Sequence, residues 1–504
     1  MAGQSDWSCD ANDALQINLV QPGETSPTTV ATFHPQFTYP IFGDDERIFG
    51  YKGLIIRLRL TTHDMRSHVY IKYDEKFKTV GDTAALDLKK TMRDWLPKSA
   101  FSGFHEYEME LQKGTTAKDF RPPGEIIHSY TDKGRNFEIW AGSLADEGVR
   151  KLLERAQVLI PLFIEGGTAI DTEDLPWTLE RWTVYYLYEK VTPPTPNASQ
   201  YSMIGYATTY RYWFYTTGEK PRIDDGKLPL PPEREPQFSD FPSRLRISQF
   251  LILPPYQGNG HGTRLYNVIH NACMTDSSIQ ELTVEDPNES FDQLRDQADY
   301  ATLKPEFVKH NIAINPDPYP PDTKRRPRRM PTSALIPVET LSKIRSQYKI
   351  QPTQFAHILE TFLLEQIPVR HRLIGGANIA RLLIKKWKTD DENDRRYYWW
   401  RMLVKQRLYR RSRDVLMQLD LAERIQKLEE TVSNVEEGYE KLLKDAAKRE
   451  DKKRTAATAA EASTDADVAE AEQIVAQRTK RKFAVVEEDD EEGSESDAAK
   501  RAKA

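Results

Sequence analysis

Cysteine is almost absent. The 504 residues contain two, Cys9 and Cys273, too far apart in sequence for a metal-binding spacing or a disulfide framework. That usage fits a reducing compartment. Cys273 falls among the apolar positions of a predicted helix, where a buried structural thiol outweighs a nucleophile. No apolar run approaches the roughly 18 residues that a membrane-spanning helix needs. The segment Met1–Asp6 lacks the basic-then-apolar order of a secretion signal. A soluble intracellular protein is expected, with no metal and no membrane partner. An excess of positive charge is missing too: net charge is −6, which argues against a chain-wide nucleic-acid surface. With 38% hydrophobic and 29% charged residues, part of the chain is expected to form no core.

One stretch organises the rest. Phe250–Leu253 is strand-like, Pro254-Pro255 breaks it, and glycines follow at 258, 260 and 262. Leu265, Val268 and Ile269 then recur at helical spacing. Strand, glycine turn and helix make a cradle for a phosphate, because backbone N–H groups and a helix N-terminus face the guest. A nucleoside-triphosphate loop needs a lysine after its last glycine; His261-Gly262-Thr263 supplies none. A dinucleotide loop spaces its glycines G-x-G-x-x-G, and here the spacing is G-x-G-x-G. A glycine-rich turn by itself would be an ordinary turn. The flanking strand and helix and the glutamine at its head reverse the odds. The run Gln257-Gly258-Asn259-Gly260-His261-Gly262 resembles the Q-x-x-G-x-G/A loop of the GCN5-related N-acetyltransferase superfamily, which holds the pyrophosphate of acetyl-CoA.

Elsewhere the pattern predicts strands at Leu15–Val20, Leu54–Leu60, Val69–Tyr73, Phe137–Trp140, Trp182–Glu189, Met203–Tyr215 and Ile279–Val284. Helices are predicted over Ala84–Leu96, Leu144–Val158 and Ser290–Ala301, then over Val338–Tyr348, Thr353–Gln366, Asn378–Trp387 and Tyr397–Leu408. The unit of strand, glycine turn, helix and strand reads as a crossover between parallel strands. It sets the ends of two strands, at 253 and 284, side by side, where ligands of open α/β sheets bind. The domains expected are a mixed α/β domain at 1–135, a core at 136–303, a Pro-rich basic linker at 304–335, a helical region at 336–446 and a disordered charged tail at 447–504. A polar, Pro-rich excursion is expected at 217–243. Leu421, Ile425, Leu428, Val432, Val435, Tyr439 and Leu442 form a short seam that suits a coiled coil or a helix packed on its own domain. Lys324–Arg329 is a targeting patch or a solvated linker. Arg478–Lys482 is a candidate nuclear-import signal, and Glu487–Glu492 a candidate contact for basic partners.

Carboxylates supply a reaction. If acetyl-CoA sits on the loop, an acceptor amine must be deprotonated before it attacks, and a carboxylate in hydrogen-bond reach can take the proton. Glu285 and Asp286 are adjacent at a strand end. On a strand, neighbours face opposite sides, so one faces the cleft and the other supports it. Asp286-Pro287-Asn288 also suits the cap of the next helix.

Four separated motifs now stand in order: Phe42–Glu46 with Phe49–Gly53, Ser248–Leu253, Gln257–Gly262, and Glu285–Pro287 with Leu294–Asp296. Together, across about residues 15–300, they resemble the type B histone acetyltransferase catalytic subunits. The resemblance implies an α+β fold of the GCN5-related N-acetyltransferase kind, a mixed central sheet with flanking helices. It implies acetylation of lysines in the N-terminal tail of newly made, soluble histone H4, with acetyl-CoA as co-substrate and no metal. A WD-repeat histone chaperone is the implied partner, and no direct nucleic-acid contact is expected. The implied location is nuclear and cytoplasmic. Carried over by position, Glu285 is the general base, with Glu165 and Asp286 as supporting or alternative carboxylates. Phe250, Leu251, Ile252, Gln257, Gly258, Asn259, Gly260, His261, Gly262 and Thr263 contact acetyl-CoA, with Asn288 a further candidate. Asp44, Asp45, Glu46, Tyr210, Arg211 and Tyr212 contact the histone tail. Arg211 faces a basic substrate, so its side chain is expected to point away or to bond the tail backbone. Two competing functions are a histone-binding chaperone subunit without catalysis, and a small-molecule acetyltransferase, which leaves the acids at 44–46 without a purpose.

Overall fold

The computed structural model describes residues 7–213, 242–319, 331–372 and 389–483 apart from 25 and 114, together with 383, 385 and 386. The 217–243 excursion (but for 242 and 243), the basic run 324–329, most of the helix expected at 378–387 and the acidic run 487–492 lie outside them.

Alternating apolar residues build two sheets. In the first, β1 (Leu15–Gln21), β2 (Thr28–Phe33), β3 (Ile55–Thr61) and β4 (Ser67–Lys72) lie in the order β2-β1-β3-β4. The second has six strands: β5 (Glu125–Asp132), β6 (Arg135–Ser143), β7 (Trp182–Lys190), β8 (Tyr201–Trp213), β9 (Ser243–Ile252) and β10 (Ile279–Val284). They lie in sequence order, antiparallel throughout except for the parallel pair β9–β10. Helix α1 (Glu147–Ala156) follows β6, and α2 (His261–Thr275) is the crossover between β9 and β10. Helix α3 (Glu289–Lys309) comes next, then α4 (Val338–Gln347), α5 (Pro352–Glu365), α6 (Glu392–Arg411) and α7 (Leu421–Phe483). The expected mixed central sheet with flanking helices is present.

Three boundaries differ from expectation. Residue 135 opens β6, whose hairpin with β5 pairs Arg135 with Asp132, so a border there would divide one sheet. The two sheets also share one apolar core running from Ala11 to Ala298. Tyr188 Oη donates to His63 O at 2.8 Å and Met203 N–H to Thr62 O at 2.7 Å across them. Helix α3 continues past 303 to Lys309 despite Pro305, because Leu303 and Phe307 extend its buried face. The charged segment from 447 is helical as far as Phe483; Ala, Glu and Lys are strong helix formers, so helix there requires no core.

The chain divides into two compact units, Met1–Ser433 and Asn434–Ala504. Within the first, buried polar contacts fix α3. Tyr266 Oη of α2 donates to Asp299 Oδ1 at 2.8 Å, and Gln354 Nε2 of α5 donates to Asp296 Oδ1 at 2.9 Å and Asp299 Oδ2 at 3.0 Å.

Candidate functional site

The site begins where β9 and β10 part. They pair only over Ser243–Ile247 and Ile279–Val284, and the last link is Glu285 N–H donating to Ile247 O at 2.9 Å. Strand β9 runs on alone beside β8. A bulge marks the point: Ala207 faces Phe250 but Thr209 faces Ile247, so Ser248 and Gln249 share the place opposite Thr208. Gln249 N–H donates to the Thr208 Oγ1 hydroxyl at 3.0 Å instead of a ladder carbonyl. A bulge bends its strand and shifts which backbone groups face each side. Leu253 N–H then points to Ile204 O of β8 at 2.9 Å. By alternation Phe250 and Ile252 turn their backbone groups to the open edge. That edge suits the amide-bearing arm of acetyl-CoA.

The carboxylates stand across this opening. Glu285 is exposed, and its Oε2 accepts from Ser248 Oγ at 2.8 Å. Asp286 is exposed at φ +34°, a left-handed conformation that turns the chain from β10 into α3. Asn288, a candidate co-substrate contact, caps α3 through its side-chain oxygen, which accepts from Phe291 N–H at 2.9 Å.

The glycine loop closes the end of β9. Gln257 Nε2 donates to Ile252 O at 2.8 Å, which explains a glutamine at the head of the motif. Gly258 and Gly260 have φ of +75° and +80°, and Gly260 precedes the first residue of α2, His261. The first-turn N–H groups of α2 therefore face the loop without intrahelical partners. At Gly262 a Cβ would lie 2.7 Å from Leu294 Cδ1, so glycine lets α2 approach α3. At His261 only the backbone faces the loop. Its side chain is buried between Tyr130 and Phe137, with Nδ1 2.7 Å from Tyr130 Oη. Burial, with Arg264 beside it, holds its pKa below the ordinary value, so the imidazole stays neutral and faces inward. Two cations stand beside the loop that no motif had marked. Lys133 Nζ donates to Asn259 Oδ1 at 3.3 Å from the β5–β6 turn. Arg264 donates to Asn259 O at 3.3 Å and pairs with Asp132 at 3.2 Å. A basic residue one helical turn into α2 was the available signal for Arg264; nothing local marked Lys133.

A third segment reaches the bulge from below. Glu165 is exposed on the turn after the short helix Ile160–Phe163. The next residue, Gly166, donates its N–H to Tyr39 Oη at 3.0 Å, and Thr168 O accepts from Gln249 Nε2 at 3.0 Å. Gln36 and Phe37 N–H both donate to Leu162 O, so the stretch leading to the acids at 44–46 lies against this turn. Asp44 and Asp45 are exposed. Glu46 is committed to its own chain: its carboxylate accepts from Thr38 N–H at 2.6 Å, Tyr39 N–H at 3.0 Å and Asn12 Nδ2 at 2.9 Å. The Thr38 N–H above all holds its pKa low. Tyr210 and Tyr212 hydroxyls each accept from Arg246 at 3.1 Å, whereas Arg211 pairs with Asp276 and donates to Ser278 Oγ.

Cys273 is buried, and burial pushes its thiol up to about 12; an acetyl-thioester intermediate on it would lack a thiolate. Among the described residues no group of three or more His, Cys, Asp or Glu is assembled to hold a metal ion. No helix among them is long and apolar enough to cross a membrane.

Residues 7–165 match the family described as "Histone acetyl transferase HAT1 N-terminus". A protein of Aspergillus oryzae named histone acetyltransferase type B catalytic subunit is 60% identical over 515 residues, covering 100% of both chains. Proteins of the same name from Pyricularia oryzae and Candida albicans are 40% and 31% identical, covering 88% and 87% of this chain and 92% and 90% of their own.

Proposed function

The chain belongs to the type B histone acetyltransferase catalytic subunits, and from that premise we propose that it transfers acetyl from acetyl-CoA to lysines in the N-terminal tail of newly made, soluble histone H4. The observation that carries the mechanism is Glu285, exposed where β9 and β10 part and oriented by Ser248 Oγ at 2.8 Å. A free lysine has a pKa near ~10.4, so freeing the neutral amine near neutral pH costs about 4 kcal/mol at ~1.36 kcal/mol per pK unit. Glu285 takes the ammonium proton. The neutral amine nitrogen attacks the thioester carbonyl, the C–N bond forms, the C–S bond breaks, and the proton that the nitrogen sheds on becoming an amide goes to the departing thiolate. Glu165 and Asp286 keep the entrance negative and so favour the arriving ammonium.

The open edge at Phe250 and Ile252 holds the pantetheine amides. The first turn of α2, with Lys133 and Arg264 beside it, receives the pyrophosphate. Exposed Asp44 and Asp45 attract the basic tail, and the Tyr210 and Tyr212 rings line its path. A WD-repeat chaperone presents the histone, in both nucleus and cytoplasm.

The test is mass spectrometry of H4 incubated with acetyl-CoA and either wild-type enzyme or Glu285→Gln. Glutamine still accepts from Ser248, so the geometry survives while the base is lost. Turnover should fall about 10²–10⁴-fold, with the KM for acetyl-CoA unchanged. Equal turnover overturns the base assignment. Tail binding without any acetylation by wild type would favour a chaperone subunit without catalysis.

A further inference from the structure

The β9 bulge has two residues, and each holds a segment that bears a carboxylate. Ser248 Oγ holds Glu285 itself. Gln249 Nε2 holds Thr168 O, three residues after Glu165; three residues span at most about 11 Å of extended chain. The other side of that turn is held by Tyr39, whose hydroxyl accepts the Gly166 N–H at 3.0 Å. Both clamps thus grip the three residues that follow Glu165, and no hydrogen bond to its own carboxylate occurs among the described residues.

Gln249 is 3% exposed. With Nε2 on a carbonyl, its Oε1 is left buried without a hydrogen-bond partner. Exchanging the two amide atoms would set oxygen against Thr168 O, so the orientation is fixed. Buried polar atoms are normally satisfied. A leucine would fill the space without that penalty, so packing alone does not account for the amide. The hydrogen bond from its side-chain amide to Thr168 O ties the Glu165 turn to the bulge that orients Glu285.

We propose that Gln249 and Tyr39 are positioning residues for Glu165, which hold its carboxylate toward the same opening as Glu285 so that both face the incoming lysine. The proposal rests on the lysine-acetylating function above. Gln249 sets the turn against β9, and Tyr39 sets it against the segment that leads to Asp44 and Asp45. The substrate-attracting acids and the acetyl-transfer bulge are then registered through one five-residue turn.

The experiment is a double-mutant cycle on the full chain: Gln249→Leu and Tyr39→Phe, each alone and combined with Glu165→Gln. Initial rates on an H4 tail peptide give kcat and the KM for acetyl-CoA, and thermal melting reports folding. Each single variant should lower kcat about tenfold with an unchanged KM for acetyl-CoA, and should have no further effect in the Glu165→Gln background. Gln249→Asn is too short to span the same gap and should behave as Gln249→Leu. Tyr39→Phe removes only one hydroxyl from a half-buried ring, so it reads the clamp even if Gln249→Leu unfolds. The same loss with and without Glu165 overturns the proposal, as does an unchanged kcat in both single variants. A wild-type enzyme that forms no acetyl-lysine overturns the function and the proposal together, whereas full activity in Glu285→Gln overturns only the base assignment.

Discussion

Gly262→Ala isolates one contact that holds the phosphate cradle in place. The added Cβ would stand 2.7 Å from Leu294 Cδ1, about 0.7 Å inside the 3.4 Å of an ordinary contact, while Ile252 Cγ1 and Phe250 Cε1 stay at 3.7 Å. The clash is therefore with α3 and not with β9. Leu294 is half-buried and the clashing atom is the end of its side chain, so part of the strain relaxes; overpacking of this kind costs about 1–3 kcal/mol. What does not relax lifts the first turn of α2 from α3, and with it the N–H groups proposed above to receive the pyrophosphate. Chemical denaturation should show the stability loss, and calorimetry a weaker affinity for acetyl-CoA. Leu294→Ala removes the clashing methyl, so the double variant should be more stable than the sum of the singles by about 1 kcal/mol. Gly258→Ala is the control. Its Cβ meets nothing within 4 Å, and only its φ of +75° resists a side chain, at about 1–2 kcal/mol. It should add independently to Leu294→Ala. Additivity within about 0.5 kcal/mol for Gly262→Ala and Leu294→Ala would refute the steric account.

Asp299 should make stability fall with rising pH. Burial raises it from 3.8 to about 6, so the folded chain keeps a proton that the unfolded chain releases. Its contribution is fully present below the unfolded value and is lost as pH passes through about 6, roughly 3 kcal/mol in all at ~1.36 kcal/mol per pK unit. Urea titrations across that interval should show a shallower slope for Asp299→Asn, and identical slopes would contradict the assignment. Cys273, with its thiol pushed up to about 12, should resist maleimide until the chain is denatured; rapid labelling of folded protein would show that it is accessible. Glu46→Gln should lower the melting temperature, because one acceptor oxygen of the group that satisfies Thr38 and Tyr39 becomes a donor. Asp44→Asn with Asp45→Asn should leave melting unchanged and weaken histone-tail binding, most at low salt. The reverse pattern would exchange these structural and binding roles.

Local pattern revealed much of this architecture. The pattern of Trp182–Glu189 predicts a strand and the strand is Trp182–Lys190, and the strand Ile279–Val284 coincides with its pattern. Both are dense in β-branched and aromatic residues between clear breaks. The glycine turn was legible for the same reason: its requirements for left-handed backbone and close approach fall within six consecutive residues. Lys133 and Glu46 show the limit. Lys133 meets Asn259 across 126 residues of sequence, and no local feature of a hairpin turn reports that. Glu46 lies in an acidic run that the family resemblance assigns to the histone tail. Its carboxylate is used by backbone N–H groups seven and eight residues earlier, and acidity alone does not distinguish the two uses.

The bulge at Ser248 and Gln249 was invisible for a deeper reason. It depends on the count of residues in two strands that meet only after folding, and neither strand is unusual in composition. Yet the chemistry depends on it. Were the same residues paired without a bulge, β9 would slip by one against β8 beyond Ile247, and the edge that gives Ile247 O to Glu285 N–H would present the odd-numbered residues throughout. With it, Phe250 and Ile252 take over the open edge, while Ser248 and Gln249 are released from the ladder to hold Glu285 and the Glu165 turn. Deleting Gln249 should restore a regular pairing of β8 with β9 in which Phe250 stays opposite Ala207, so Phe250 and Ile252 keep the open edge while the local bend and the Thr168 clamp are lost. The outcome would be impaired acetyl transfer with acetyl-CoA binding retained. Loss of binding as well would show that the bend itself opens the edge.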